Sequence, residues 1–213
     1  MAGSGIVCQH QGEHTLTMPA PLTFSLASDV SKPRHGSLIL VNRFTYCPFC
    51  ATSLVERTLY GQARPVCPAC GFVQYHDPKV AVIALVTHDE RILLVQRAID
   101  PAKGKWSLPG GYMDAHERPE QALQRELMEE VTLAVDVRQL LDVFPMVWPK
   151  GGSNGIVLAF HATPADEEQV ALRCQDDACD ARWFLPGEWP DELAFASTEA
   201  LLARWQTGWR PTS

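Results

Sequence analysis

The stretch LPGGYMDAHERPEQALQRELMEEVTL, from Leu108 to Leu133, decides how the rest of the chain is interpreted. Pro119 suits the first turn of a helix, because its fixed backbone angle is already helical and its missing N–H would have no partner there. Apolar residues follow at helical spacing, at Ala122, Leu123, Leu127 and Val131. The sequence therefore predicts a helix from about Pro119 to Val131, entered from a loop that contains two glycines.

This helix would carry a cluster of carboxylates. At about 100° per residue, Glu126, Glu129 and Glu130 fall within one third of its circumference. Like charges at these spacings repel by a few tenths of a kcal/mol per pair. Glu117 lies just upstream, and Gly111 lets the incoming loop approach closely. Clustered carboxylates beside a close backbone loop are typical of an all-oxygen site for Mg²⁺ or Mn²⁺, and a merely solvated acidic face is the alternative.

A second motif precedes this region, with the two segments CPFC and CPAC separated by sixteen residues. Two such turns place four thiolates, from Cys47, Cys50, Cys67 and Cys70, around one tetrahedral Zn²⁺. The intervening segment is strand-like, with Gly61 as its turn. Chance cysteine pairs or a redox dithiol are the alternatives, but the doubled spacing favours zinc. A site with four cysteines leaves no open coordination position, so we predict a structural role.

Composition and charge restrict the class of protein. The chain has 213 residues, 46% hydrophobic and 20% charged, which is enough for one core and a small accessory module. A net charge of -7 argues against a general affinity for nucleic acid or anionic membranes. No apolar run approaches the roughly 18 residues of a membrane span, and no secretory signal is evident. We therefore predict a cytoplasmic protein without a membrane or nucleic-acid partner, and a homodimer is compatible with the sequence.

The pattern along the chain predicts three parts: a poorly ordered tail over residues 1–43, a zinc ribbon over 44–76 and a larger domain over 77–213 that contains the carboxylate helix. Two β-branched runs flank His88-Asp89-Glu90 and predict a hairpin. Further strands are predicted near Val135–Phe144, Gly155–Ala162 and Ala181–Phe184. A last helix is predicted to start near Ser197, a good N-cap residue. Strands before and after a central helix indicate a mixed α/β or α+β domain.

The residues of the opening stretch resemble the Nudix box, G-x5-E-x7-R-E-U-x-E-E-x-G-U, where U is a bulky aliphatic residue. Eight of the nine defined positions match: Gly111, Glu117, Arg125, Glu126, Leu127, Glu129, Glu130 and Leu133. Thr132 departs from the pattern, because the family has glycine there. The zinc ribbon and the segments YHDPKVAVIALV, RAIDPAKGKWSLPGG and EWPDELAFAS are similar to one zinc-ribbon group of that family. The resemblance covers about residues 45 to 207 and implies an α/β/α sandwich preceded by a small ribbon.

The resemblance also implies a reaction, the hydrolysis of a nucleoside diphosphate linked to another group. It implies that the Gly111 carbonyl, Glu126, Glu129 and Glu130 ligate Mg²⁺ (or Mn²⁺), and that Glu117 contributes through water or a second ion. Arg125 would pair with the carboxylates and hold their geometry. The general base would be Glu129 or Glu130, or else an acid on a later loop. Asp176 and Asp177 are the candidates for that later acid.

The substrate is less defined by the sequence. Relatives that cleave NADH carry an SQPWPFP type of stretch after the box, and this chain has VFPMVWPKGGSNG instead. Pro149 lies sixteen residues after Leu133, which is similar to a marker of ADP-ribose pyrophosphatases. We therefore rank ADP-ribose first, then FAD or NADH, then an oxidised nucleotide. Three aromatic residues are candidates for stacking on an adenine, with core packing as the alternative: Trp106, Phe144 and Trp148.

A different class of function also fits the pattern. A Nudix-like pocket can act as a ligand sensor or regulator without turnover, with the ribbon holding a nucleic acid or a protein. The intact set of carboxylates favours an enzyme, because a sensor does not need every metal ligand.

Overall fold

A computed structural model describes residues 44–75, 77–147, 153–175 and 177–211 of the chain. The predicted tail over residues 1–43 lies outside these described residues. The first element is a two-stranded antiparallel sheet of β1 (Val55–Leu59) and β2 (Gln62–Val66). Tyr60 and Gly61 join the strands with φ angles of 52° and 76°, the left-handed conformation that a two-residue hairpin turn requires. The turn predicted at Gly61 is thus confirmed.

A seven-stranded sheet forms the centre of the remaining chain. Its strands are β3 (Lys79–His88), β4 (Arg91–Arg97), β5 (Trp106–Ser107), β6 (Gly110–Tyr112), β7 (Val135–Val147), β8 (Ser153–Pro164) and β9 (Ala178–Phe184). The strands in the order β5-β4-β3-β8-β7 form its main path, while β6 pairs with β3 and β9 pairs with β4. The β3–β8 pair is parallel and the other pairs are antiparallel.

Two helices cover opposite faces of this sheet: α1 (Pro119–Val131) and α2 (Ala196–Gln206). Alternate residues of β3 point to the two sides, so that Val82, Ala84 and Val86 pack in one core with α1, whereas Leu85 packs in a second core with α2. Leu123 and Leu127 of α1 are fully buried, and each stabilises the fold by about 1.5–3 kcal/mol relative to an exposed position. The predicted mixed α/β sandwich with a cysteine-rich module before it is confirmed.

The predicted element boundaries are mostly correct, and α1 has the predicted ends. The hairpin between β3 and β4 is also confirmed, with Asp89 and Glu90 at positive φ as its two turn residues. The prediction that Ser197 caps the last helix is wrong. Phe195 is the N-cap, because the backbone bond from Ala194 N to Trp106 O keeps the chain extended up to that point. No helix in the described part of the chain is long and apolar enough to cross a membrane.

Candidate active site

Helix α1 presents its carboxylates because its opposite face is fixed in the core. Its chain enters through Arg118, whose backbone N–H donates to Gln121 Oε1 at 3.0 Å and satisfies one of the free donors at the helix start. The loop before the helix starts from β6, where Gly111 pairs with Val82 of β3. It therefore runs beside the carboxylate face of α1. The predicted box residues are therefore brought together at one end of the sheet, between α1 and β6.

Arg125 is the centre of the carboxylate cluster. Its guanidinium donates to both oxygens of Glu117, at 2.7 and 3.2 Å, to Glu126 at 2.8 Å and to Glu129 at 3.1 Å. It also donates to the backbone oxygen of Tyr112 at 3.0 Å, which ties the helix to β6. The hydrogen bonds from Arg125 lower the pKa of Glu117 and raise the pKa of Arg125. The sequence predicted that Arg125 orders the acids, and the structure places it where it can do so.

Glu126 fills the space that a side chain at position 111 would occupy. A Cβ atom on Gly111 would lie 2.3 Å from Glu126 Oε2 and 2.4 Å from its Cδ atom. Burial raises the pKa of Glu126, although its hydrogen bond to Arg125 acts in the opposite direction. The absence of a side chain at Gly111 is thus what allows this carboxylate to lie against the backbone of β6.

Glu130 is the most buried acid of the cluster, with 6% of its surface exposed. The backbone N–H of Gly110 donates to Glu130 Oε2 at 2.9 Å, which holds the carboxyl group against β6. Burial raises the pKa of Glu130 to about 8, and the charges of Glu126 and Asp177 act in the same direction. Glu129, by contrast, has a side chain that is 50% exposed. The helix therefore offers one buried, one half-buried and one exposed carboxylate side by side.

These residues fit a divalent cation. Glu130 is buried and Glu126 half-buried, and both have raised pKa values. Such carboxylates gain most from a nearby positive charge, because a cation offsets the cost of ionising them away from water. The donor set of the side chains is entirely oxygen, as Mg²⁺ and Mn²⁺ prefer. The ligands that the sequence suggests, namely Gly111, Glu117, Glu126, Glu129 and Glu130, remain a prediction.

The cysteine cluster is also assembled. The Sγ atoms of Cys47 and Cys70 lie 3.5 Å apart, those of Cys50 and Cys67 3.4 Å apart, and those of Cys50 and Cys70 3.6 Å apart. All four sulfurs lie within 4.8 Å of one another. A tetrahedral Zn²⁺ with bonds of about 2.3 Å places its sulfur ligands about 3.8 Å apart, so the spacing fits. Each knuckle ends in a left-handed residue, Ala51 or Gly71, whose N–H donates to the first cysteine carbonyl.

The aromatic residues suggested for stacking have different positions. Trp106 is 8% exposed and belongs to the core under α2, with its ring edge-on to Phe184 at 5.2 Å between centroids. This burial accounts for Trp106 without a ligand and does not favour the predicted stacking role. Phe144 is partly buried and packs against the same core. Trp148 lies outside the described residues.

Tyr112 is an exposed aromatic residue at the site that the sequence analysis missed. It follows Gly111 directly, is 43% exposed and has Lys79 Nζ 4.6 Å from its ring centroid. Its hydroxyl donates to Met146 Sδ at 3.6 Å. The position next to the box glycine, in a strand that places Tyr112 on the face opposite to Gly111, is a signal that could have identified it.

The structure describes one of the two acids on the later loop that are candidates for the general base. Asp176 lies outside the described residues. Asp177 is partly buried, its backbone oxygen accepts a hydrogen bond from Ala98 N at 2.7 Å, and its charge contributes to the raised pKa of Glu130. The structure therefore brings Asp177 near the end of the box helix, as the alternative assignment of the base requires.

The part of the chain that carries these acids is similar to known proteins. A model of the NUDIX domain matches residues 77–205. The ADP-ribose pyrophosphatase of Methanocaldococcus jannaschii is 34% identical over 138 residues, which are 63% of this chain and 78% of that protein. The NAD-capped RNA hydrolase NudC of Stutzerimonas stutzeri is 33% identical over 144 residues, 68% of this chain and 49% of that protein. The chain thus spans about half the length of the second relative.

Among solved structures, a NUDIX hydrolase from Nitrosomonas europaea is similar in fold and sequence. It has a TM-score of 0.68 and 29% identity, and the match covers 77% of this chain and 91% of that chain.

Proposed function

The chain belongs to the NUDIX family, and on that premise we propose that it hydrolyses the pyrophosphate bond of a nucleoside diphosphate linked to another group, with Mg²⁺ or Mn²⁺ as cofactor. One observation carries the proposal. Arg125 gathers Glu117, Glu126 and Glu129 beside a backbone strand that has no side chain at Gly111. An acidic face that was only solvated would have no need of this arrangement.

We assign a role to each residue of the site from its position. Glu126, Glu129 and Glu130 would hold the cation with the Gly111 carbonyl, and Glu117 would contribute through water or a second ion. A bound Mg²⁺ would neutralise charge on the pyrophosphate and lower the pKa of a coordinated water. Arg125 fixes the carboxylate geometry, and Gly110 holds Glu130 by its N–H group.

A carboxylate of this cluster would accept the proton of the attacking water. We assign this role to Glu129 or Glu130, with Asp177 as the alternative.

We propose ADP-ribose as the preferred substrate. The similarity to an ADP-ribose pyrophosphatase that shares 34% of the aligned residues supports this choice. Tyr112 follows Gly111 in β6, and its exposed ring, on the opposite face of the strand, is our candidate for stacking on an adenine, with the positive charge of Lys79 next to it. Hydrolysis of ADP-ribose at its pyrophosphate gives AMP and ribose 5-phosphate.

A dinucleotide such as NADH or FAD is the second candidate. It is favoured by the similarity to NudC, which is an NAD-capped RNA hydrolase, and by the cysteine module that precedes the NUDIX domain. The net charge of -7 favours a small nucleotide over a long RNA as the group that the chain itself binds. A ligand sensor without turnover is the third candidate.

We further propose that Zn²⁺ is the ion of the four cysteines, that its role is structural, and that the ribbon over residues 44–76 and the domain over 77–213 are separate units. A module this small buries little apolar surface, so that metal binding would supply much of its folding free energy. Cys47 and Cys67 are 3% and 1% exposed, whereas Cys50 and Cys70 lie at the surface.

The test is a side-by-side assay of ADP-ribose, NADH, FAD and 8-oxo-dGTP, with Mg²⁺ and with EDTA, in which the nucleotide products are separated by chromatography and quantified. We expect turnover that requires Mg²⁺ and is fastest with ADP-ribose. Turnover of NADH or FAD ahead of ADP-ribose would contradict the substrate assignment. If no compound is hydrolysed but one of them raises the melting temperature, the sensor function is supported instead.

A further inference from the structure

Thr132, the residue at which α1 ends, has an unfavourable backbone conformation. Its φ of 56° and ψ of 38° lie in the left-handed region, which side chains branched at Cβ rarely adopt. Glycine is the common residue at this position of a helix end, because it has no Cβ to clash with its own carbonyl. The backbone alone therefore disfavours threonine here, and a compensating role of the side chain would explain its presence.

The hydroxyl of Thr132 makes two hydrogen bonds to one segment of the chain. Thr132 Oγ1 donates to the backbone oxygen of Arg173 at 3.3 Å and accepts from Gln175 Nε2 at 3.0 Å. A hydroxyl group can donate and accept at the same time, which no apolar side chain and no glycine can do. The two partners lie more than forty residues later in the sequence, so this contact joins distant parts of the fold.

The same segment completes the end of the box helix. The backbone N–H of Arg173 donates to Val131 O at 3.0 Å, and that of Gln175 donates to Glu130 O at 2.9 Å. These carbonyls belong to the last turn of α1 and have no partner within the helix. The backbone of Glu130 is thus held by Gln175, while its carboxyl group is held by Gly110 at 2.9 Å.

Asp177 lies two residues after Gln175 in the sequence. Gln175 O accepts from Ala178 N at 3.1 Å, and Asp177 O accepts from Ala98 N, next to the end of β4, at 2.7 Å. A shift of Arg173 and Gln175 would therefore move the last turn of α1 and, through the hydrogen bond from Ala178, the position of Asp177.

We propose that Thr132 is a positioning residue, whose hydroxyl locks Arg173 and Gln175 onto the end of α1 and so holds Glu130 and Asp177 in their places at the site. Its effect on turnover rests on the proposed function, whereas the lock itself does not. A substrate contact is not involved, so the lock acts on kcat and leaves KM nearly unchanged.

The test compares Thr132→Gly with Thr132→Ser. Thr132→Gly relieves the backbone and removes the hydroxyl, so we expect an equal or higher melting temperature together with a kcat lower by about tenfold and a KM within about twofold. Amide hydrogen exchange at Arg173 and Gln175 should become about tenfold faster. Thr132→Ser keeps the hydroxyl and should keep kcat and exchange within about twofold of the original chain.

Two further variants separate the lock from a general effect of glycine. Asp89→Gly places glycine at another left-handed residue, in the β3–β4 turn with φ of 47°, and should leave kcat and the exchange at Gln175 unchanged. Gln175→Ala removes one partner of the hydroxyl and should add little to the loss caused by Thr132→Gly, because both changes break the same contact.

The outcomes are distinct. A Thr132→Gly chain that keeps its kcat and its slow exchange would overturn the proposal, as would a Thr132→Ser chain that loses as much as the glycine variant. If the original chain hydrolyses none of the tested nucleotides, the proposed function fails, and the exchange measurement alone decides whether the lock exists: faster exchange in Thr132→Gly supports it and unchanged exchange refutes it.

Discussion

Replacement of Gly111 by alanine tests the carboxylate site with the smallest available change. The new Cβ would lie 2.3 Å from Glu126 Oε2, and ordinary contact begins at 3.4 Å, so the carboxylate must move by at least about 1.1 Å. The obstructing atoms are the end of a flexible side chain, and the clash can be relieved without moving backbone. We therefore expect the fold to survive and the position of Glu126 to change.

The magnitude follows from that displacement. A misplacement of about 1 Å in a catalytic group costs on the order of 100-fold in rate, or about 2.7 kcal/mol in the activation barrier. The movement also lengthens the 2.8 Å hydrogen bond between Glu126 and Arg125. Stability should change little, because alanine in a compatible backbone conformation gains about 0.4–1 kcal/mol by restricting the unfolded chain, which offsets part of the local repacking.

Gly155→Ala is the matched control. Its Cβ would lie 2.1 Å from the backbone oxygen of Lys79, so that β8 and β3 must separate. We expect this variant to lose stability, with a melting temperature well below that of Gly111→Ala.

The assay is steady-state hydrolysis of ADP-ribose over a Mg²⁺ titration, together with thermal melting of each variant. Gly111→Ala should melt within a few degrees of the original chain and show about 100-fold lower kcat. A Gly111→Ala chain with unchanged kcat and unchanged Mg²⁺ dependence would refute the assignment of Glu126, and of β6 beside it, to the metal site.

Two further predictions concern protons and zinc. Burial raises the pKa of Glu130 to about 8, above the ordinary value of about 4.3, so the folded chain binds this proton more tightly than the unfolded chain. In EDTA the free energy of unfolding, measured by urea titration, should therefore fall as the pH rises from about 5 to 8, by up to about 1.4 kcal/mol per pH unit. Glu130→Gln should flatten this fall. An equally steep fall in the variant would show that Glu130 is not its cause. Cys67→Ser should abolish stoichiometric zinc binding and the protection of the β1 and β2 amides from hydrogen exchange, while the amides of β3 and β8 stay protected. Full protection of β1 and β2 in a chain without zinc would contradict a structural role of the metal.

The sequence predicts α1 well because its signals are local. Pro119, the apolar stripe and the spacing of the glutamates all depend on the period of one helix, and the observed ends at Pro119 and Val131 match. The start of α2 near Ser197 is correctly predicted, but its N-cap is not. Ser197 has a good local propensity for capping, whereas the contact of Ala194 with Trp106 is long-range and makes Phe195 the N-cap.

The electrostatics of the site depend on tertiary packing and could not be predicted in detail. The burial of Glu130 requires β6 to lie over the end of α1, and nothing in the helical pattern distinguishes Glu130 from the exposed Glu129. The bidentate pairing of Arg125 with Glu117 likewise depends on how the loop before α1 turns. Trp106 was a candidate for stacking because aromatic residues serve cores and ligand sites alike, and burial favours the core role.

The central claim is that the carboxylates of α1 form the site of a metal-dependent pyrophosphohydrolase. The most direct test is the rate at which AMP is released from ADP-ribose by the original chain and by Glu129→Gln, each with Mg²⁺ and with EDTA. The side chain of Glu129 is 50% exposed, so the variant should fold normally. We expect turnover of the original chain only with Mg²⁺ and a loss of at least about 100-fold in the variant. Equal turnover of the two chains, or turnover that EDTA does not abolish, would contradict the claim.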